Sequence, residues 1–366
     1  RCPAVVSRLR NPRPLRLLGT GSRAGTREPC GRAALLLRLL PLLLLFGSCT
    51  PPGLQPGFSG RAVALVYGIA DYVPGEDDIL DLSFTDDDAV LVATLLEDAG
   101  YEVYLRLNQD ATVSAFRSDL SALAEPAAGS GSPDIAGTAL ESGDRLLIYF
   151  AGHGWQLREG FSSGSEPGFR SDSADEVLFF HGALSPGSSE LDGTGVDLSL
   201  ALTDDQLAAE LAVLPIRPLL ILDACNTGGL IGERRTVSLH APRGSDFTGR
   251  RVTGARALAD ALQAWALTET ADLQQADAAV LSAAGETELA WESGSIGQGW
   301  FTAGLAEALA DPAAADRFRD GALTLTELYR YARDYLDRTW NAQAVLGDRY
   351  RPRLMTGPAD PVVLYY

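Results

Sequence analysis

Cys225 and His153 are the residues of this chain whose types and placement suit a nucleophile and its base. Cys225 follows the apolar run Leu219-Leu220-Ile221-Leu222 and precedes Asn226-Thr227-Gly228-Gly229. His153 ends the run Arg145-Leu146-Leu147-Ile148-Tyr149-Phe150-Ala151-Gly152 and is followed by Gly154. Apolar runs that end in glycine read as buried parallel strands running out into loops. Open α/β sheets place their chemistry at the carboxyl ends of such strands. Two neighbouring strand tips would bring an imidazole to a thiol, so that the histidine serves as base and then acid for a cysteine nucleophile. The backbone amides of Gly154 and Cys225 are then candidate oxyanion donors. Taken singly, a buried cysteine is usually a small hydrophobe and a lone histidine is usually structural. The joint placement at two strand ends is what argues for chemistry.

The surrounding pattern must position those tips. Strands are expected at 62–67, 101–107, 145–150, 219–222 and 278–282, with a last one at 361–364. Helical spacing runs over 86–99, 113–123, 204–214, 301–309 and 325–336, and the acidic first turn from Asp86 suits the helix dipole. Strands separated by helices imply βαβ units and a mainly parallel sheet covered on both faces. Gly/Ser-rich or Arg/Gly-rich stretches at 126–143, 158–175 and 229–256 read as surface loops.

Length and charge narrow the function. The chain has 366 residues, 46% of them apolar, which is enough for a large core. Residues 1–49 carry nine of the 30 basic residues, all arginine, and one of the 48 acids, so the remainder carries a formal charge of −26. That surface repels nucleic acid and anionic head groups and attracts cations. Arginines precede an apolar stretch from Leu35 to Phe46 that is shorter than the ~20 residues of a membrane span. It reads as the core of an export signal. Gly47-Ser48-Cys49 resembles a bacterial lipobox, except that Phe46 stands where a smaller aliphatic residue is usual; the protein is expected to be exported, either lipidated at Cys49 as its only membrane attachment or cleaved nearby and released. The expected organisation is a signal over 1–49, a Pro/Gly linker over 50–60, a catalytic domain over 61–311, and a C-terminal helix and strand over 312–366 completing it. Cys225 then has no disulfide partner in the exported part of the chain.

Several segments resemble the caspase-like cysteine peptidases, most closely bacterial caspase-like proteins and metacaspases. Tyr149-Phe150-Ala151-Gly152-His153-Gly154 resembles their histidine motif, and Asp223-Ala224-Cys225-Asn226-Thr227-Gly228 their cysteine motif. Leu82 to Leu96, Thr203 to Leu207, Ser282-Ala283, Glu288 to Glu292 and Gly299 to Thr302 extend the resemblance over roughly residues 60–310. It implies a three-layer αβα sandwich with a mainly parallel sheet of about six strands. It also implies peptide-bond cleavage through a thioester at Cys225, with His153 moving the proton and a peptide or protein as substrate. By the same resemblance Asp88 and Asp223, with Ser282, line the S1 pocket. Two carboxylates there favour arginine or lysine at P1. No cofactor is required, but calcium activation through Asp175, Asp204 and Asp205 is implied, with Glu233 as a further candidate. Arg234-Arg235 and Arg250-Arg251 are candidate self-cleavage sites, and His181 and His240 read as structural or surface residues.

Two rivals use the same residues. One is an inactive caspase-fold scaffold that binds without cutting. The other is a thiol amidase or transpeptidase acting through the same dyad.

Overall fold

In the computed structural model, described residues are 60–72, 81–124, 135, 139–157, 175–185, 188, 195–228, 230, 277–285, 288–357 and 359–366. All belong to the compact unit Thr50–Tyr366. The export signal, Cys49, Glu233, His240, the paired arginines and most of the three expected loops lie outside them, as does the side chain of Asp175. Among the described residues, no helix is long and apolar enough to cross a membrane.

The chain builds β1 (Ala62–Gly68), α1 (Thr85–Asp98), β2 (Glu102–Leu107), α2 (Val113–Ala124) and β3 (Arg145–Ala151) in turn. A small antiparallel sheet follows, from β4 (Gly154–Leu157), β5 (Asp175–Phe179) and β6 (Ala201–Thr203). Then come α3 (Asp204–Leu211), β7 (Leu219–Asp223) and β8 (Ala279–Ser282). The C-terminal part holds β9 (Glu292–Ser293), β10 (Gln298–Gly299), α4 (Trp300–Ala310), β11 (Ala322–Thr324), α5 (Leu325–Arg338), β12 (Arg353–Met355) and β13 (Val362–Tyr365).

The main sheet has six strands in the order β12-β8-β7-β3-β1-β2. All neighbours are parallel except β8 and β12. Every residue of β1 is buried, as a strand covered on both faces requires. Val63, Leu65 and Tyr67 enter one core with α2 and α3; Ala64 and Val66 enter the other with α1, α4 and α5. The period of two thus divides one apolar run between two cores and makes a three-layer αβα sandwich.

Local rules set the helix ends. Thr203 and Gln206 form a capping box at α3, and Thr324 and Glu327 another at α5. Gly100, at φ 88°, turns the chain out of α1. The expected last strand is β13. β13 pairs with β11 in a separate two-stranded sheet, and the antiparallel edge of the main sheet is β12 instead. β12 is three residues long, Arg353-Leu354-Met355, too short for a period to mark it.

Candidate active site

β3 and β7 are hydrogen-bonded neighbours, with Ala151 opposite Asp223. The Gly152 amide continues the ladder to the Asp223 carbonyl at 3.2 Å. His153 and Cys225 each stand two residues beyond that last pair, so parallel register delivers both to one sheet edge. They line a common cavity of about 70 Å³ with Asp88, Asp223, Trp291, Glu292 and Gly299. A larger cavity of about 580 Å³ lies beside Glu288, Asp337 and Tyr350, but its lining includes no cysteine, serine, threonine or histidine.

The two glycines beside His153 are fixed by the protein's own atoms. A side chain at Gly152 would meet the Tyr72 hydroxyl at 2.4 Å, and one at Gly154 would meet the Cys225 carbonyl oxygen at 2.4 Å. The backbones of Gly154 and Cys225 are therefore in direct apposition beside the thiol. Past Cys225 the chain turns at Asn226, whose φ is 60° and whose amide donates to the Glu288 carbonyl at 3.0 Å. The Cys225 thiol faces the Ala290 carbonyl at 3.8 Å.

Asp88 and Asp223 come together from α1 and β7. The Gly299 amide donates to Asp88 Oδ2 at 2.9 Å, and Thr302 Oγ1 donates to Asp223 Oδ2 at 2.6 Å. Asp88 is 1% exposed, and its Oδ1 has no hydrogen-bond partner. Burial first, and the Asp223 charge second, push Asp88 up to about 9. Burial also lifts Asp223, to about 6, against the Thr302 hydrogen bond that favours its ionised form. At neutral pH the pair holds one proton, on Asp88, chiefly because burial disfavours its charged form.

Glu292 is a third carboxylate of this cavity, and sequence reasoning gave it no role. Its two oxygens accept from the amides of Ser83 and Phe84, at 2.9 and 3.1 Å, which tie the β9 segment to the start of α1. Thr302 was also missed as a support of Asp223. Both lie in segments already noticed as motif-like, but only tertiary contact assigns them work.

Other expected residues sit differently. Ser282 is fully buried, and its hydroxyl is engaged by Thr227 Oγ1 and the Ala284 carbonyl, each at 2.7 Å. It does not line the cavity; the inward side of β8 carries it into the core behind the Cys225 loop. Asp204 and Asp205 open α3, and β5 pairs antiparallel with the strand that feeds that helix. Among the described residues no group of three or more His, Cys, Asp or Glu forms a metal site. His181 is not among the residues lining the Cys225 cavity, and its Nδ1 lies 2.7 Å from the Asp71 carbonyl.

No curated protein matches the chain. Among solved structures it is similar to protein GSU0716 from Geobacter sulfurreducens, at 19% identity over 81% of this chain and 92% of that one, with a TM-score of 0.43. It is also similar to caspase-1 from Spodoptera frugiperda, at 12% identity over 84% and 90%, again with a TM-score of 0.43. The family model described as caspase domain matches residues 61–351, from the first residue before β1 to the approach to β12, and the chain belongs to the caspase domain family.

Proposed function

We propose that this protein is a cysteine endopeptidase that cuts after arginine or lysine, with Cys225 as nucleophile and His153 as proton carrier. His153 takes the thiol proton as Cys225 Sγ bonds to the scissile carbonyl carbon. The amides of Gly154 and Cys225 hold the oxyanion that forms. Collapse breaks the C–N bond, His153 gives its proton to the departing amine, and a thioester remains. Water then adds to the thioester carbonyl, His153 takes its proton and returns it to the leaving sulfur, and the acid product departs.

The observation that carries the P1 reading is the buried, unpartnered Oδ1 of Asp88 in the cavity that Cys225 also lines. A buried polar atom left without a partner costs about 1–3 kcal/mol, more if charged. A guanidinium or ammonium entering beside Asp88, Asp223 and Glu292 satisfies that oxygen and offsets part of the cluster's negative charge. We place the domain outside the cytoplasm, delivered by the signal over 1–49 and tethered at Cys49.

Fluorogenic peptides ending in Arg, Lys, Asp or Leu at P1 test the reading. Cleavage after Arg or Lys, abolished in Cys225→Ala and His153→Ala, is expected. Cleavage only after Asp would sink the acidic-pocket argument. No cleavage of any peptide would favour the scaffold reading.

A further inference from the structure

We propose that Tyr72, on the loop leaving β1, is a positioning residue that sets the height and tilt of His153 through a hydroxyl bridge. The inference rests on His153 being the proton carrier. Tyr72 is fully buried, and its hydroxyl accepts from the His153 amide at 2.7 Å and donates to the Phe179 carbonyl at 3.1 Å. In return, the Phe179 amide donates directly to the His153 carbonyl at 3.1 Å. An antiparallel pair at this register ordinarily exchanges both bonds directly. Here one of the two is relayed through a phenol, so the start of the β4–β5 hairpin is wedged open on the side of the His153 amide. The Tyr72 ring also backs the imidazole, with centroids 4.7 Å apart and planes at 49°.

The wedge needs space and a rigid base. Gly152 supplies the space, since any Cβ there would lie 2.4 Å from the Tyr72 hydroxyl. The base is a clamp on the loop. The Tyr72 amide donates to Asp81 Oδ1 at 2.8 Å, and the amides of Ala70 and Asp71 share Asn108 Oδ1 at 2.8 and 3.0 Å. Asn108 holds a left-handed φ of 46° and donates in turn to Asp86 Oδ2 at 3.0 Å, anchoring the clamp on α1. Burial keeps the phenol protonated, so its donor is always present.

Tyr72→Phe in the full chain removes the bridge and keeps the ring. The expected result is a kcat lower by tenfold or more with KM changed less than twofold, since the S1 acids are untouched. The pH profile for iodoacetamide alkylation of Cys225 should also move toward that of His153→Ala. Tyr101→Phe is the control. It deletes another buried phenol bond, to the Val363 carbonyl, at the amino-terminal end of the sheet. It should melt lower yet keep kcat. Gly152→Ala keeps every hydroxyl but drives the phenol off the His153 amide, and it should reproduce the kcat loss.

A kcat within twofold of wild type in Tyr72→Phe, with an unchanged alkylation profile, overturns the proposal and leaves the peptidase reading intact. If wild type cleaves no peptide, the peptidase reading fails and alkylation alone decides. A His153-dependent profile that Tyr72→Phe shifts retains the positioning role. A profile indifferent to His153→Ala overturns it.

Discussion

The Gly299 amide donates to Asp88 Oδ2 at 2.9 Å, joining β10 to the first turn of α1 across 211 residues. The same glycine leaves no room for a side chain. A Cβ there would lie 2.8 Å from Asp88 Oδ2 and 3.1 Å from Asp223 Oδ2. Its backbone, at φ −67° and ψ 138°, is one that alanine adopts freely. Gly299→Ala should therefore fold but pry the two carboxylates apart. The expected outcome is a kcat/KM for Arg substrates reduced about tenfold or more, or about 1.4 kcal/mol. The melting temperature should move by only a few degrees. Unchanged kcat/KM would mean that P1 is recognised elsewhere.

Asp88 makes the unliganded domain less stable as pH rises. Its pKa is about 9 in the fold against 3.8 unfolded. Between those values the folded state binds more protons than the unfolded state, so stability falls with rising pH. The penalty is absent below about 4 and complete above about 9. Asp223 adds a smaller penalty of the same sign between about 4 and 6. In a Cys225→Ala background, Asp88→Asn should melt close to its parent near pH 4 and progressively above it towards pH 9. Arg substrates should bind better over the same rise, because the proton on Asp88 must leave for the cation to enter. A pH-independent gap between the two melting curves would contradict the assignment.

The parts of this fold that were legible in the sequence are those with long, unbroken apolar runs. β1, β3 and β7 each bury both faces, so composition alone marks them, and the glycine-bearing exits of β3 and β7 mark the site. The two- and three-residue strands β6, β9, β10 and β12 have no period to read, and they escaped for that reason. Asp88 and Asp223 were legible through motif resemblance, because each lies within a few residues of an element end. Glu292, Thr302 and Tyr72 act on partners 208, 79 and 81 residues away, and no local pattern records such pairings.

Ser282 separates motif resemblance from geometry. Its hydroxyl is consumed by Thr227 and the Ala284 carbonyl inside the core. Ser282→Ala should leave the preference among P1 residues unchanged. It should destabilise the domain by about 1–3 kcal/mol, because the Ala284 carbonyl loses its buried donor and the Thr227 hydroxyl keeps only its bond to the Ala224 carbonyl. Chemical denaturation measures the second effect, and a panel of P1 peptides measures the first. A changed P1 preference with intact stability would return Ser282 to the pocket.

Thr302 and Glu292 bear on Asp223 with opposite sign. The Thr302 hydroxyl, 2.6 Å from Asp223 Oδ2, favours the ionised carboxylate, whereas the Glu292 charge opposes ionisation. Thr302→Val keeps the shape and removes the donor, so Asp223 should titrate above its value of about 6. Glu292→Gln removes a neighbouring charge, so Asp223 should titrate lower. The acidic limb of kcat/KM for Arg peptides should accordingly shift up in the first variant and down in the second. Glu292→Gln carries a second cost. The amide of glutamine turns a donor towards either Ser83 or Phe84, both of which already donate, so one tie to α1 is lost. Its KM for Arg peptides should therefore rise severalfold at pH 8 even though Asp223 is more fully ionised there. Shifts of the same sign in both variants would show that the limb belongs to another group, and His153 would be the first to test.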